Sequence, residues 1–493
     1  MLRKIRIALA TLFYVAITAL FLDFTGTLHA WLGWMAQIQF LPALLAQNLI
    51  VVVALIILTR IFGRVYCSII CPLGVMQDLI AWLGKKAKKN RYTYSSEKRW
   101  LRLIVLALFV ISLVLGGGVI AHLLAPYSAY GRIVNNLLAP LYQWGNNGLA
   151  YLAERMGSYA FYEAEVWIRS GVTFGIALAT LLILGLLAWR GGRTYCNTIC
   201  PVGTILGYIA QYSWLKPVID TEKCNNCGLC ARNCKASCIN GKEKQIDYTR
   251  CVACMDCISI CKKQAISYVH RQEPPEQAPK QGDIDTSRRT FLATTAAVAA
   301  TTTLKAQEKK VDGGLAAIQD KKAPARQTHL VPPGAMSARH FAKHCSACQL
   351  CVSACPNGVL TPSTDLSRLM QPEMRYERGY CRPECTQCSE VCPTGAIRPI
   401  TREDKSSTQI GHAVWVKENC IPLTDGVSCG NCARHCPVRA IQMVPSKADD
   451  KRSPRIPVIN AERCIGCGAC EHLCPARPFS AIYVEGHERH KEN

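Results

Sequence analysis

Long apolar runs crowd the first 190 residues, and the chain turns polar beyond about residue 220. Four runs have the length to span a bilayer as helices: Ile7–Phe24, Ala43–Leu58, Leu103–Ala121 and Val172–Trp189. Arg3, Lys4 and Arg6 precede the first run, as in a signal peptide. No small-residue cleavage site follows it, so it reads as a retained helix. The pattern predicts a membrane α-helical four-helix bundle over residues 1–215.

Loop charge orients that bundle. Phe24 to Pro42 holds no Lys or Arg, whereas Arg60, Arg64, Lys85, Lys86, Lys88, Lys89, Arg91, Lys98, Arg99 and Arg102 lie between the second and third runs. Only Arg132, Arg155 and Arg169 follow the third run, and Arg190 and Arg193 follow the fourth. Positive loops stay inside, so both ends of the bundle face the cytoplasm of a bacterial inner membrane.

The 493 residues include 29 cysteines, and their spacing changes the picture most. Cys224, Cys227, Cys230 and Cys234 form C-x2-C-x2-C-x3-C; Cys251, Cys254, Cys257 and Cys261 repeat it. This is two-cluster ferredoxin spacing, in which the fourth cysteine of each run ligates the other cluster. Residues 216–271 are thus expected to form a cytoplasmic α+β ferredoxin-like domain. Zinc competes as a reading, but zinc sites use paired ligands rather than interlocked runs of four. Lys235 and Lys262 replace the usual Pro after the fourth cysteine, and such a cation is expected to raise the cluster potential. Cys238 is left over and reads as a small semi-buried thiol.

Four more quartets occupy residues 334–493: Cys345, Cys348, Cys351, Cys355; Cys381, Cys385, Cys388, Cys392; Cys420, Cys429, Cys432, Cys436; and Cys464, Cys467, Cys470, Cys474. Each ends in Cys-Pro. Together the six quartets call for six [4Fe–4S] clusters. The spacers pair the first quartet with the second and the third with the fourth; a nested pairing is the alternative. The formal charge of +23 suggests nucleic acid, but six four-thiolate clusters contribute about −12, leaving roughly +11. No DNA-reading signature accompanies it.

An internal repeat follows the second and fourth runs. Gly63-Arg64-Val65-Tyr66-Cys67 leads to Cys71-Pro72-Leu73-Gly74, and Gly192-Arg193-Thr194-Tyr195-Cys196 leads to Cys200-Pro201-Val202-Gly203. A helical C-x3-C would put both sulfurs on one face, with the proline breaking the helix after them. Cys67, Cys71, Cys196 and Cys200 are therefore a possible shared metal site across a pseudo-dyad; two separate thiol pairs are the alternative. Residues 272–333 read as linker. Within it, Ser287-Arg288-Arg289-Thr290-Phe291-Leu292 and the Ala/Thr-rich run to Leu304 look like a twin-arginine export signal. That motif places the last domain outside the cytoplasm; a cytosolic six-cluster wire is the competing arrangement.

With these motifs in view, the first ~270 residues resemble the NapH family: four helices, two C-x3-C-P motifs and a two-cluster tail. From Ser287 onward the chain resembles the NapG family, with the twin-arginine leader, Pro332-Pro333-Gly334-Ala335 and four clusters. The resemblance implies a quinol dehydrogenase, drawing on the membrane quinol pool and feeding a periplasmic nitrate reductase-like enzyme or cytochrome acceptor. Quinol oxidation needs a proton acceptor near the lipid boundary, and Asp23, His29 and His122 are the candidates. Interfacial anchoring is the plainer role for each, and haem ligation by the two histidines is a further one. A reading from another class makes the chain a maturation or sensing factor for a partner metalloenzyme.

Overall fold

All four apolar runs become helices, but two of them are cut short by residues that turn the chain. Helix α1 spans Leu2–Leu22, and the adjoining α2 spans Thr27–Leu32. The second run breaks at Gln47, whose φ is +55°, and Asn48, which caps α3 (Leu49–Phe62) by accepting from the Val51 N–H. Helix α4 follows at Pro72–Lys86. The third run divides into α5 (Arg99–Leu115) and α6 (Val119–Leu124), with three glycines at 116–118 between them. Next come α7 (Pro126–Ile133), α8 (Ala139–Arg155), α9 (Gly171–Gly191) and α10 (Pro201–Ala210). This computed structural model describes every residue except 24, 88–91, 116–117, 159–160, 271–318, 448 and 493. The twin-arginine segment lies outside the described residues.

Among the described residues two helices, Leu2–Leu22 and Gly171–Gly191, are long and apolar enough to cross a membrane. The other two expected spans are shorter: α3 has 14 residues and α5 has 17. Residues between the long helices fold back among them. The Tyr66 hydroxyl accepts from Phe40 N–H and donates to Gln39, and the Tyr130 hydroxyl pairs with Thr18 of α1 at 2.6 Å.

The prolines of the repeat do not break helices; they start them. Cys71 and Cys200 are extended residues just before α4 and α10, and Pro72 and Pro201 occupy the first helical position. No N–H is needed there and the ring's fixed φ is already helical. The residues between the paired cysteines form a π-helical turn at Tyr66–Ile70 and an α-helical turn at Thr194–Thr198.

The two cysteine-rich segments are small α+β units. In the first, strands β1 (Leu215–Ile219) and β2 (Ile266–His270) pair antiparallel and close the segment on itself. In the second, β3 (Thr408–Trp415) pairs with β6 (Ile482–Glu492), and β4 (Ile441–Lys447) with β5 (Asp450–Ile459). These segments sit at opposite ends of α1. Arg3 and Arg6 reach Asp256 and Asp78 at its start, while Phe21 packs by Tyr127 and Gly131 near the Cys348 carbonyl.

Candidate functional site

The first segment groups its cysteines in two sets. Cys224, Cys227, Cys230 and Cys261 line one cavity; Cys234, Cys251, Cys254 and Cys257 line a second. The exchange of the fourth cysteine follows from the fold, because β1 and β2 bring the two runs side by side antiparallel. Cys238 lines the second cavity too. Its sulfur lies 3.5 Å from that of Cys234 and also meets Cys251. Cys238 is thus buried rather than semi-buried, beside two candidate ligands. Its spacing from Cys234 offered no signal, since C-x3-C occurs throughout the chain.

The second segment groups four sets. Cys345, Cys348, Cys351 and Cys392 lie within electrostatic reach of one another. Cys355, Cys381, Cys385 and Cys388 line a cavity floored by Pro332 and Pro333. Cys420, Cys429, Cys432 and Cys474 line another, and Cys436 joins Cys464, Cys467 and Cys470. Contacts order them. The Cys381 N–H donates to the Cys467 carbonyl at 2.9 Å, and Cys470 lies within reach of Cys432. The path from the bundle outward thus runs through the sets of Cys348, Cys388, Cys467 and Cys429.

Cations with no carboxylate partner stand beside these sets. Arg132 is wholly buried, gives one N–H to the His122 carbonyl, and finds no partner for Nε or Nη2 among the described residues. It lies within reach of Cys348. Lys405 is buried and donates to the carbonyls of Arg382, at 2.6 Å, and Cys385. A buried cation is costly unless an anion accompanies it. Four thiolates around a [4Fe–4S] cube carry a net negative charge, so the donor set fits that group.

Lys235 behaves differently. It is buried against Asp78 at 2.8 Å and Asp256 at 3.2 Å. Its charge is shared with two carboxylates and pins the first segment to the bundle, and it also lies within reach of Cys254, beside the second cysteine set. Lys405 is the better lever. Lys405→Met is expected to lower the potential of the neighbouring cluster in a redox titration, because the reduced, more negative state loses its cation.

The three boundary candidates separate. Asp23 accepts from the N–H groups of Thr25, Gly26 and Leu28 and from the Thr25 hydroxyl, which fixes the loop between α1 and α2. Its other contact is His29 Nδ1 at 3.1 Å. That pairing places the proton on Nδ1 and leaves Nε2 as an acceptor, and Nε2 is buried with no partner among the described residues. Gln387, next to Cys388, packs on Gly26 of the same loop. His122 lies apart. Its Nε2 donates to the Cys345 carbonyl at 2.7 Å, so that nitrogen is not open to haem iron.

Cysteine quartets held in small α+β units, with buried cations beside them, define an iron–sulfur electron-transfer protein. A family model described as a 4Fe-4S binding domain matches residues 46–91 and 172–220, and one described as a 4Fe-4S dicluster domain matches 344–410 and 427–477. The methylamine utilization ferredoxin-type protein MauM of Paracoccus denitrificans is 35% identical over 32% of this chain and 73% of its own length. The ferredoxin-type protein NapG of Escherichia coli is 33% identical over 33% of this chain and 75% of its own length. A putative electron transport protein of E. coli, YccM, is 24% identical over 48% of this chain and 58% of its own. The chain belongs to the NapG and MauM family of ferredoxin-type proteins, a likeness covering about a third of it. No solved structure matches it.

Proposed function

We propose that this protein is a membrane-embedded quinol-oxidising electron-transfer component, in which a NapH-like bundle and a NapG-like polyferredoxin are joined in one chain. Six [4Fe–4S] clusters, held by the 24 cysteines of the quartets, carry single electrons. Quinol gives up two protons and two electrons: His29, oriented by Asp23, takes the first proton and releases it to outside water before taking the second, and the electrons enter, one at a time, the cluster held by Cys388 next to the Asp23 loop. They leave through the Cys429 set, beside exposed Leu423 and Val427, toward a periplasmic reductase or cytochrome.

The observation that carries this reading is the seating of two cluster-bearing segments at opposite ends of helices with apolar outer faces. Leu12, Val15, Ile50, Val114, Leu182 and Ile183 are all exposed. Such a surface calls for lipid. Helix α8 adds exposed Tyr142, Trp144 and Tyr151, an aromatic set suited to the headgroup layer. The Arg3 end carries the positive loops and is assigned to the cytoplasm.

Protease added to intact spheroplasts tests the arrangement. Cleavage within residues 334–493 is expected from outside, with the 224–261 segment protected until the membrane is opened. Protection of both segments would place the whole wire in the cytoplasm.

A further inference from the structure

The two C-x3-C-P turns are left over by the six-cluster account, and they meet inside the bundle. Cys67, Cys71, Cys196 and Cys200 are all buried. Cys71 and Cys200 each lie within electrostatic reach of Cys196 and Cys67. Their surroundings are reciprocal. Arg64 sets Nη2 3.8 Å from its own Cys67 sulfur and donates to the Cys196 carbonyl at 3.1 Å. Arg193 sets Nη1 3.8 Å from its own Cys196 sulfur and donates to the Cys67 carbonyl at 2.7 Å. A side chain at Gly74 would collide with the Cys67 carbonyl, and one at Gly203 with the Cys196 carbonyl. Each repeat is thus shaped around the other.

Charge points to an occupant. Both guanidiniums are wholly buried. Arg193 has Asp78 at 2.6 Å, but Arg64 has no carboxylate within 4 Å among the described residues; its other partners are Asn197 and the Thr249 carbonyl. Arg64 Nε and Gln77 Nε2 are buried with no partner, and Gln77 Oε1 lies 3.5 Å from the Cys196 sulfur. A buried site with four thiols, and a cation that has no carboxylate partner among the described residues, calls for an anion. A metal–tetrathiolate centre is such an anion.

Position gives it a task. Asp78 is one layer of the bundle, bonded to Arg6; Phe21, near the Cys348 carbonyl, is another. From Arg6 to Phe21 is about 22 Å along α1, and from Asp78 back to Cys71 is about 10 Å along α4, at 1.5 Å per residue. Cys71 therefore lies near half-way, while Cys196, 3.5 Å from Gln77, lies beside the Asp78 layer. On one side Arg64 is also within reach of Cys251, and Asn197 donates to the Ala236 carbonyl two residues past Cys234. On the other, the Tyr195 hydroxyl donates to the Leu124 carbonyl, and Arg132 lies within reach of both Tyr195 and Cys348.

We infer that Cys67, Cys71, Cys196 and Cys200 hold a seventh iron–sulfur centre, a [4Fe–4S] cube shared by the two repeats, which relays electrons between the clusters at the two ends of the bundle. The family model matched over 46–91 and 172–220 spans both repeats and stops short of Cys224. In the relay step a cytosolic one-electron donor reduces the Cys251 cluster, and the centre takes that electron and hands it on to the Cys348 cluster. No bond forms or breaks and no proton moves. The inference rests on the bundle spanning a membrane, but not on quinol.

The test is the full-length chain, purified anaerobically, beside Cys67→Ser/Cys196→Ser. The native chain is expected to hold about 28 irons with equal sulfide, and the variant about 24. The variant should also lose one spin component from the dithionite-reduced spectrum. In inverted membrane vesicles, impermeant dithionite should reduce all clusters of the native chain, but in the variant only the two exposed cytoplasmic ones. About 24 irons in the native chain, zinc at the repeats, or equal reduction of both forms would overturn the relay. Should the variant fail to accumulate, the iron count and spin quantitation of the native chain decide by themselves. Quinol that reduces a 24-iron protein would leave the proposed function standing and remove the relay; a 28-iron protein inert to quinol would do the reverse.

Discussion

Replacing His29 with alanine is expected to slow quinol-driven cluster reduction by about 10²- to 10⁴-fold, the range for loss of a positioned general base. Dithionite should still reduce every cluster of the variant, because it bypasses proton transfer. The expectation rests on geometry: Asp23 holds Nδ1 at 3.1 Å and leaves the buried Nε2 open to a hydroxyl. Asp23→Asn should act in the same direction and also loosen the loop, since the carboxylate accepts three backbone N–H groups. His122→Ala should leave the proton step alone. Its Nε2 serves the Cys345 carbonyl, so its loss should show as weakened seating of residues 334–493. Stopped-flow absorbance with quinol, then dithionite, separates these outcomes.

Asp78→Ala is the second large effect. One carboxylate meets Arg193 at 2.6 Å, Lys235 at 2.8 Å and Arg6 at 3.0 Å, joining α1, α4, the second repeat and the first cluster segment. Truncating it leaves three buried cations without that anion, and breaking such a pairing costs about 3–5 kcal/mol. The first segment should detach, with loss of its iron on gel filtration and a lower denaturation midpoint. Burial alone would raise the Asp78 carboxyl, but Arg193, Lys235 and Arg6 outweigh it and hold it well below the usual carboxylate range. A depressed carboxyl stabilises the folded state above its unfolded value, near 3.8, and the contribution fades only as pH falls through the lower folded value. Seating of the segment should therefore be flat from neutral to mildly acid pH. A loss of seating between pH 7 and 5 would contradict this role for Asp78.

The cysteine runs were legible because spacing along the chain is itself the chemical signal, and partner exchange follows from two such runs lying side by side. The apolar runs announced helices but not their ends. Gln47 and Asn48 decide where the second run breaks, and a hydropathy window averages over them. The buried roles of Asp78 and Arg132 could not be read, and Arg132 counted only as a loop charge. The partners of Asp78 lie up to 157 residues away in sequence, and Arg132 sits beside a distant cysteine. The repeat was visible as a pattern, but the crossing of Arg64 and Arg193 onto each other's cysteine carbonyls needs the folded bundle.

The account rests on electrons passing from quinol into cysteine-held iron–sulfur clusters. Anaerobic membranes containing the full chain, mixed with excess menaquinol or ubiquinol and frozen for electron paramagnetic resonance, test it most directly. Reduced-cluster signals equal to a substantial part of those given by dithionite are expected. Clusters that stay oxidised under excess quinol, yet reduce fully with dithionite, would contradict the account and leave a maturation or sensing role in its place.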